Sequence, residues 1–446
     1  MDSAVHLGDA LSPNEGPLTV FVSSPFSEPI GERWALREAL RERLRREGHR
    51  PWLYEINAKE YRRTGLTPRE IIINAIEKSD VVITLYKSRA GSFLDNEPFY
   101  ATAFETFHAR RLGKKVYLYV LDAVQKPRLR GVLSVFKQAM PSPDTVSNDG
   151  SEKDLIERVV SDLAEFRNSS PRANLIATDN ISLDANINDR DWLDGIHSRL
   201  GLARSLWSAR EIAERVPMVT TTRRVNKDNR LHYAQVLAAC AGVWANQSEY
   251  TRAIECGWAA VRIFMETGYA YEMIGEIQAV SGILNMANQI KNAYWVNTFG
   301  FQAASRLREA QRIPLLQSFN DSRGSIMRKL GKFGNARERI RKSMSTVGDV
   351  SAYSLAKYAS AVALLGGKAN VDSGLRLLYD VALPLALSTD QSVGYVQRDA
   401  ARIALLVGDH LTAARLLTEA EKSCRTKGQL HTLGLIQRMK REVELS

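Results

Sequence analysis

Cysteine is scarce in this 446-residue sequence, which has three thiols, Cys240, Cys256 and Cys424. They are far apart and form no Cys-x-x-Cys pair, so we expect neither a disulfide framework nor a metal site. A run of about 18 apolar residues, long enough to span a bilayer, is also missing. The opening residues MDSAVHLGDALSPNEGP lack the basic and apolar regions of a signal peptide. We therefore expect a cytoplasmic protein without a membrane partner.

Basic residues outnumber acidic ones, and the net charge is +11. Such a charge attracts nucleic acids, acidic proteins or phosphate-bearing ligands. However, the basic residues are interspersed with acidic ones, as in ERWALREALRERLRREG (32–48). No basic cluster is interleaved with aromatic residues in the manner typical of nucleic-acid-binding surfaces. We therefore do not expect a nucleic-acid partner.

The region 17–167 alternates short β-branched or aromatic runs with amphipathic segments. Strands are predicted at 18–24, 51–55, 80–86 and 114–122, with a further element within 123–150. Helices are predicted over about 30–47, after a capping box at Thr67 to Glu70, over about 98–112, and over about 151–166. This alternation predicts an α/β fold, a small doubly wound parallel sheet covered on both faces.

After a predicted linker at 168–190, the region 191–446 has a helical pattern with internal repetition. An apolar residue followed three positions later by a small one recurs at intervals of 40, 43, 38 and 40 residues. The leading positions are Tyr250, Ile290, Phe333, Val371 and Leu411. A period of this length predicts an all-α solenoid of helical hairpins. The region resembles tetratricopeptide-type repeats, which implies a protein or peptide partner.

Candidate site residues follow three predicted strands, because ligands of doubly wound sheets bind beyond the carboxyl ends of the strands. We predict substrate-binding roles for Ser23, Ser24, Pro25, Phe26, Glu55, Tyr86, Ser88, Arg89 and Tyr100. Each also has a structural interpretation that stays open here. The serines can cap a helix, the tyrosines can belong to the core, and Glu55 and Arg89 can be surface residues.

Glu105 lies in the predicted helix that follows the third strand. Its helical neighbours three, four and seven residues away include no lysine or arginine, which indicates an inward orientation. A carboxylate there can act as a nucleophile or stabilise positive charge on a sugar ring during cleavage of an N-glycosidic bond. Nicotinamide leaves as a neutral molecule and needs no general acid, whereas a neutral nucleoside base does. The residues therefore favour NAD as the substrate.

Three segments carry a resemblance to a known superfamily: VFVSSPFSEPIGERWALREAL, AIEKSDVVITLY and ATAFETFHARRLGKKVYLYV. In order and spacing they resemble the TIR-like and nucleoside deoxyribosyltransferase-like proteins, with Glu105 eight residues before Gly113. VFVSS and Glu32-Arg33 are similar to bacterial TIR-like domains of unknown function. Phe21 and Phe99 replace the sugar-binding residues of the deoxyribosyltransferases, so base exchange is not expected.

The resemblance implies a flavodoxin-like or TIR-like fold and a catalytic role for Glu105. It implies an NAD glycohydrolase or ADP-ribosyl cyclase, with NAD as substrate and no other cofactor. Relatives of this kind are effectors of bacterial anti-phage immunity and are often fused to sensor domains, which implies homo-oligomerisation on activation. The alternative is a catalytically inactive module that senses a nucleotide while the repeats bind a protein.

Overall fold

The computed structural model describes most of the chain. The described residues are 17–25, 30–54, 56–57, 65–86, 90–94, 97–121, 127–139, 145–147, 151–168, 188–202, 206–218, 225–345, 350–389, 392–427 and 429–444. Internal contacts divide the chain into two compact units. The first comprises 1–95, 100–129 and 141–181, and the second comprises 96–99, 130–140 and 182–446.

The first unit contains a parallel sheet of five strands. They are β1 (Thr19–Ser23), β2 (Arg50–Trp52), β3 (Val81–Tyr86), β4 (Lys115–Val120) and β5 (Thr145–Ser147). Their order across the sheet is β2-β1-β3-β4-β5, and every neighbouring pair is parallel. This confirms the predicted α/β sheet and identifies β5 within the stretch 123–150. β2 ends at Trp52, three residues before the predicted end of that strand.

Within the described residues, six helices accompany or follow these strands along the chain. They are α1 (Ile30–Arg46), α2 (Pro68–Glu77), α3 (Ala101–Arg111), α4 (Pro127–Ala139), α5 (Glu152–Asn168) and α6 (Arg190–Leu202). The capping box of α2 is confirmed: Thr67 accepts a hydrogen bond from the backbone N–H of Glu70, whose side chain accepts one from Thr67. α2 therefore begins as the sequence predicts, with Thr67 as its N-cap residue.

The two faces of the sheet are covered by different helices of the first unit. One hydrophobic cluster joins Val20, Val22 and Ile83 to apolar residues of α1 and α5. On the opposite face, the hydroxyls of Thr84 on β3 and Thr106 on α3 are 3.0 Å apart. Side chains alternate along a strand, so Ser23, Thr84 and Tyr86 share the face that α3 covers.

The repeat region of the second unit consists of helices joined by short turns. After α7 (Leu206–Ala213) they are α8 (Arg230–Asn246), α9 (Tyr250–Thr267), α10 (Ala270–Met286), α11 (Ile290–Ala304), α12 (Glu309–Lys329), α13 (Phe333–Met344), α14 (Ala352–Ala363), α15 (Lys368–Arg376), α16 (Leu383–Thr389), α17 (Val393–Leu406), α18 (His410–Lys427) and α19 (Leu430–Glu444). A π-helical segment, Leu377–Ala382, separates α15 from α16. This is the predicted helical solenoid.

The predicted repeat positions coincide with alternate helices. Tyr250, Ile290 and Phe333 are the first residues of α9, α11 and α13. The small residue three positions later, Ala253, Ala293 or Ala336, is fully buried in each case. The period therefore marks the second helix of each hairpin, where a small side chain lets two helices pack closely.

The last repeat begins one residue earlier than predicted. Leu411 is 88% exposed, whereas Ala413 is fully buried. The leading position of this repeat is therefore His410, the first residue of α18. The sequence pattern predicts an apolar leading residue and so indicates Leu411, but in this repeat the polar His410 occupies the leading position.

One contact joins the two ends of the repeat region. The hydroxyl of Tyr250, at the start of α9, is hydrogen-bonded to Nδ1 of His431 on α19. Their rings meet edge to face with centroids 5.7 Å apart. The last helix therefore contacts a helix of the first hairpin as well as α18 and α17.

No helix among the described residues combines the length and hydropathy needed to cross a bilayer.

Candidate functional site

The carboxyl ends of β1 and β3 are neighbours at the point where the strand order reverses. β1 pairs with β2 on one side and with β3 on the other. In open doubly wound sheets, the crevice at such a reversal is where ligands bind. Ser23, Ser24 and Pro25 come at the end of β1, and Tyr86 is the last residue of β3. These four sequence-predicted residues therefore lie at the expected edge of the sheet.

Glu105 is held against the end of β1 by a serine. Oγ of Ser23 donates a hydrogen bond to Oε2 of Glu105, across 82 residues of sequence. Glu105 is 3% exposed and Ser23 is 2% exposed. The inward orientation predicted for Glu105 is thus confirmed. The bond fixes the position of the carboxylate at the switch point of the sheet, which is the place between β1 and β3 where the strand order reverses.

Two threonines anchor the helix that carries Glu105. Thr106 Oγ1 lies 3.0 Å from Thr84 Oγ1 and donates to the carbonyl of Thr102 at 2.8 Å. Ser23 and Thr84 are register partners in the sheet, so the two helix–sheet contacts are adjacent. Because Thr106 is the residue after Glu105, its contact sets the rotation of α3 above the strands.

Two tyrosines lie at the same edge. Burial raises the pKa of Tyr86 well above its usual value, and the nearby negative charge of Glu105 raises it further. Burial also raises the pKa of Tyr100 to about 12, although Arg128 lowers it slightly. Tyr100 stacks on Phe93, with ring centroids 4.3 Å apart. Both phenols therefore stay protonated at neutral pH and can donate hydrogen bonds.

A glycine brings the segments that follow β1 and β3 together. Gly91 has a φ of +97°, a conformation that favours glycine. A Cβ at this position would lie 3.3 Å from Cβ of Pro25 and 3.6 Å from Oγ1 of Thr102. The hydroxyls of Ser24 and Thr102 are buried and have no hydrogen-bond partner among the described residues. Buried polar atoms without a partner are uncommon, and at this edge they are available to a ligand.

The structure thus brings together six of the ten predicted site residues: Ser23, Ser24, Pro25, Tyr86, Tyr100 and Glu105. Phe26, Glu55, Ser88 and Arg89 lie outside the described residues. Gly91 and Thr102 were not predicted. Thr102 lies three residues before Glu105, the spacing at which helical neighbours meet, and that spacing was a usable signal.

His108 and Asp80, two other polar residues of the first unit, make contacts of a structural kind. Burial lowers the pKa of His108 to about 4, and the positive charges of Arg111 and Arg69 act in the same direction. His108 is therefore neutral at physiological pH. Asp80 accepts a hydrogen bond from the backbone N–H of Thr19 at 2.7 Å, at the amino ends of β1 and β3. Asp80 therefore lies at the opposite end of the sheet from Glu105.

A cavity of about 340 Å³ lies in the second unit and is separate from the Glu105 cluster. It is lined by Ala213, Glu214, Val216, Met218, Cys240, Trp244, Arg252, Glu255 and Cys256. Burial raises the pKa of the Cys240 and Cys256 thiols to about 12, so both are protonated and poorly nucleophilic at neutral pH. Within the described residues, no three histidine, cysteine or acidic side chains are grouped as metal ligands.

A known family matches the N-terminal part of the chain. Residues 19–163 match the family described as Domain of unknown function (DUF4062). This match spans about a third of the chain and contains Ser23, Tyr86, Tyr100 and Glu105. No curated protein matches the sequence.

Among solved structures, the chain is similar to a signal transduction ATPase with numerous domains from Pyrococcus horikoshii, which has a tetratricopeptide repeat sensor. The two are 12% identical, and the alignment covers 97% of this chain and 78% of the other. The TM-score is 0.30, which does not establish a shared fold.

Proposed function

We propose that the α/β domain, residues 17–167, cleaves the N-glycosidic bond between nicotinamide and ribose in NAD, with Glu105 as the catalytic carboxylate. The observation that supports this proposal is the position of Glu105: a carboxylate fixed by Ser23 at the switch point of a doubly wound sheet. The sequence resemblance to TIR-like proteins supports the same assignment.

The chemistry requires one carboxylate. When the C1′–N bond breaks, its electron pair goes to the pyridinium ring, which leaves as neutral nicotinamide. Positive charge then develops on the ribose, where the Glu105 carboxylate stabilises it or forms a bond to C1′. Water then supplies a hydroxyl to C1′ and releases a proton, and it displaces the carboxylate where a bond to C1′ has formed. When a hydroxyl of the adenosine ribose attacks C1′ in place of water, that hydroxyl loses its proton and the product is cyclic.

Neighbouring side chains have roles that follow from their protonation and position. The Ser23 hydroxyl orients the carboxylate. The neutral phenols of Tyr86 and Tyr100 are hydrogen-bond donors for ribose hydroxyls, and the unpartnered hydroxyls of Ser24 and Thr102 lie at the same edge. Hydrogen bonds to a sugar from such fixed groups would hold it over Glu105.

Access is a requirement of this proposal, because only 3% of the Glu105 surface is exposed. The residues that bury Glu105 have to move before the ribose of NAD reaches the carboxylate. Activity is therefore expected to depend on an activating event. An effector that is inactive until a ligand binds its sensor domain would behave in this way.

The direct test is nicotinamide release from NAD by the full chain and by its Glu105→Gln variant. Glu77→Gln, an exposed glutamate of α2, is the matched control. The proposal predicts loss of release by 10³-fold or more in Glu105→Gln, a magnitude on the order of that seen for catalytic carboxylates, and unchanged release in the control. Equal release by the wild type and a folded Glu105→Gln variant would exclude the catalytic role.

A second candidate function is favoured by the burial of Glu105. In this alternative, the α/β domain senses a nucleotide without cleaving it, and the Ser23–Glu105 bond is structural. Calorimetric titration with NAD distinguishes the two: binding without nicotinamide release, even after the repeats are engaged, supports the sensing module.

For the repeat region we propose a protein or peptide partner that drives association of the chains and so activates the α/β domains, in an anti-phage effector. The domain order and the resemblance to tetratricopeptide-type repeats motivate this proposal. Light scattering with activity measurements tests it. A constitutive monomer with full activity would contradict it.

A further inference from the structure

The cavity of about 340 Å³ lies wholly in the second unit, among α7, α8, α9 and the segment that follows α7. On α8 it is lined by Cys240 and Trp244, whose spacing places them on one helix face. On α9 it is lined by Arg252 and, one turn later, by Glu255 and Cys256. Small-molecule sites have volumes of about 300–1,000 Å³. The cavity is therefore large enough for a small ligand.

Contacts between side chains connect the walls of this cavity. The guanidinium of Arg252, on α9, lies 5.0 Å from the ring centroid of Trp244 on α8. The guanidinium of Arg210, on α7, lies 5.9 Å from the same centroid. Sγ of Cys256, on α9, lies 3.4 Å from Sδ of Met218, in the segment after α7. The residues that line the cavity are therefore neighbours in space and belong to one site.

The segment after α7 is also attached to α8. The hydroxyl of the fully buried Tyr233 donates a hydrogen bond to the carbonyl of Pro217 at 2.6 Å. Pro217 lies between Val216 and Met218, which both line the cavity. This wall is thus held in place without a ligand. Binding to a cavity that is already formed costs less ordering than binding to one that has to form.

The interior of the cavity is apolar. It is formed by buried residues with small or aliphatic side chains: Ala213, Val216, Cys240 and Cys256. The two thiols are protonated at neutral pH, and a protonated thiol packs as a small apolar group. The interior is therefore suited to an apolar side chain.

Two opposite charges adjoin this interior. Arg252 and Glu255 are exposed, and no ion pair engages either of them within the part of the chain that the structure describes. Both charges act on the Cys256 thiol: its pKa, raised by burial, is raised further by Glu255 and lowered by Arg252. Glu214, another acidic residue of the lining, is paired with Arg210 at 3.0 Å. Arg252 and Glu255 thus have charges that a ligand can neutralise.

We propose that this cavity binds a free α-amino acid with an apolar side chain. Arg252 pairs with the α-carboxylate, which a guanidinium group binds through two parallel hydrogen bonds. Glu255 accepts hydrogen bonds from the α-ammonium group, and the apolar side chain occupies the interior. Helical neighbours three residues apart have Cβ atoms about 5–6 Å apart, so their side chains reach two groups on one carbon atom. The site is independent of Glu105 and of NAD cleavage.

Calorimetric titration of the full chain with L-leucine tests the site. Arg252→Gln and Glu255→Gln should each weaken binding about tenfold or more, because each removes a charge-assisted hydrogen bond. Lys291→Gln and Glu309→Gln, at exposed positions of α11 and α12, are the matched controls. They should bind within about twofold of the wild type, since distant charges are screened by salt.

Two results of these titrations would overturn the proposal. One is a wild-type protein that does not bind L-leucine. The other is equal affinity in the wild type and in folded Arg252→Gln and Glu255→Gln variants. Glu105→Gln should bind L-leucine like the wild type, so the outcome is separate from that of the test for NAD cleavage.

Analogues of leucine test each charge in the wild-type protein. L-Leucinamide lacks the carboxylate, and 4-methylpentanoate lacks the ammonium group. Each should bind about tenfold or more weakly than L-leucine. Arg252→Gln should not weaken the binding of L-leucinamide further, because the group that Arg252 recognises is already missing. L-Leucinamide that binds as tightly as L-leucine would overturn the assignment, since the cavity would then recognise the amino end of a peptide.

Glycine tests the role of the apolar interior. It carries both charges without a side chain, so it should bind about tenfold or more weakly than L-leucine, whose side chain is removed from water in the cavity. Equal affinities for glycine and L-leucine would show that the interior is not used, and would exclude an apolar amino acid as the preferred ligand.

Discussion

Buried carboxylates have different surroundings in the two units of this protein. In the α/β unit, Glu105 accepts a hydrogen bond from the neutral hydroxyl of Ser23. In the repeat region, Asp399 accepts bonds from two guanidinium groups. Two cations keep Asp399 ionised, which suits a structural role. Glu105 instead is oriented by a neutral hydroxyl at the carboxyl edge of the strands, where ligands of doubly wound sheets bind, as its proposed catalytic role requires.

Some helices of the two units differ in how they begin. α2 of the α/β unit has a full capping box. In the repeat region, α9, α11 and α13 begin after Glu249, Gln289 and Lys332, none of which makes a side-chain capping bond. These three repeat helices therefore lack the local hydrogen bonds that α2 has, and close packing of small residues contributes to their stability.

The largest effect is expected from Asp399→Asn. This change leaves Arg328 and Arg398 buried beside a neutral amide, and breaking a buried ion pair costs about 3–5 kcal/mol. Urea unfolding should show this decrease in the free energy of unfolding. Asp372→Asn, on the exposed side of α15, is the control and should change stability by less than about 0.5 kcal/mol. A loss equal to that of the control would show that the contact of Asp399 with the two arginines is not structural.

Glu276 is expected to make stability depend on pH. Burial raises its pKa from 4.5 to about 8. The unfolded chain loses this proton near pH 4.5 while the folded protein retains it, so stability falls as pH rises from there to about 8. The slope is about 1.4 kcal/mol per pH unit.

Urea unfolding at several pH values checks this dependence. Glu276→Gln should remove the slope, and Glu272→Gln in the same helix should keep it. At each pH, the free energy of unfolding of a variant is subtracted from that of the wild type. The difference isolates the contribution of Glu276 from that of the histidines. Parallel curves for wild type and Glu276→Gln would mean that Glu276 is ionised in the folded protein.

Gly300→Ala tests the dependence of the repeats on close packing. A Cβ on this residue of α11 would lie 2.3 Å from Cζ of Phe319 and 2.9 Å from Cγ2 of Ile277. Overpacking of this kind costs about 1–3 kcal/mol. Gly282→Ala on α10, where nothing lies within 4 Å, should instead stabilise the protein slightly. Thermal unfolding of both variants should therefore give shifts of opposite sign.

Thr67→Ala tests the local contribution in the α/β unit. The change removes the side-chain acceptor for the Glu70 backbone N–H and should cost about 1 kcal/mol. Thr67→Ser keeps the acceptor and should restore most of that stability. If both variants unfold like the wild type, packing alone holds α2 in place.

Local signals in the sequence predicted much of the fold. The capping box at Thr67, the alternation of strands and helices, and the spacing of Tyr250, Ile290 and Phe333 all depend on residues close together in the chain. The inward orientation of Glu105 was also predictable, from its helical neighbours. Two predictions differ from the structure where the local pattern is weak. β2 is shorter than predicted, and the last repeat has a histidine in its leading position.

Long-range pairings were not predictable. Ser23 and Glu105 are separated by 82 residues, and Arg328 and Asp399 by 71. Periodicity identifies the face of a helix that a side chain occupies, but it does not identify the residue opposite. The bond between Arg328 and Asp399 therefore shows only in the folded structure.

The contact between Tyr250 and His431 has a consequence for how the repeats unfold. Arrays in which each repeat contacts only its neighbours tend to fray from their ends. Here the last helix contacts α9 of the first hairpin, so neither end is released without disturbing the other. Loss of order at one terminus is therefore transmitted to the opposite terminus, and the repeat region is expected to melt as one cooperative unit.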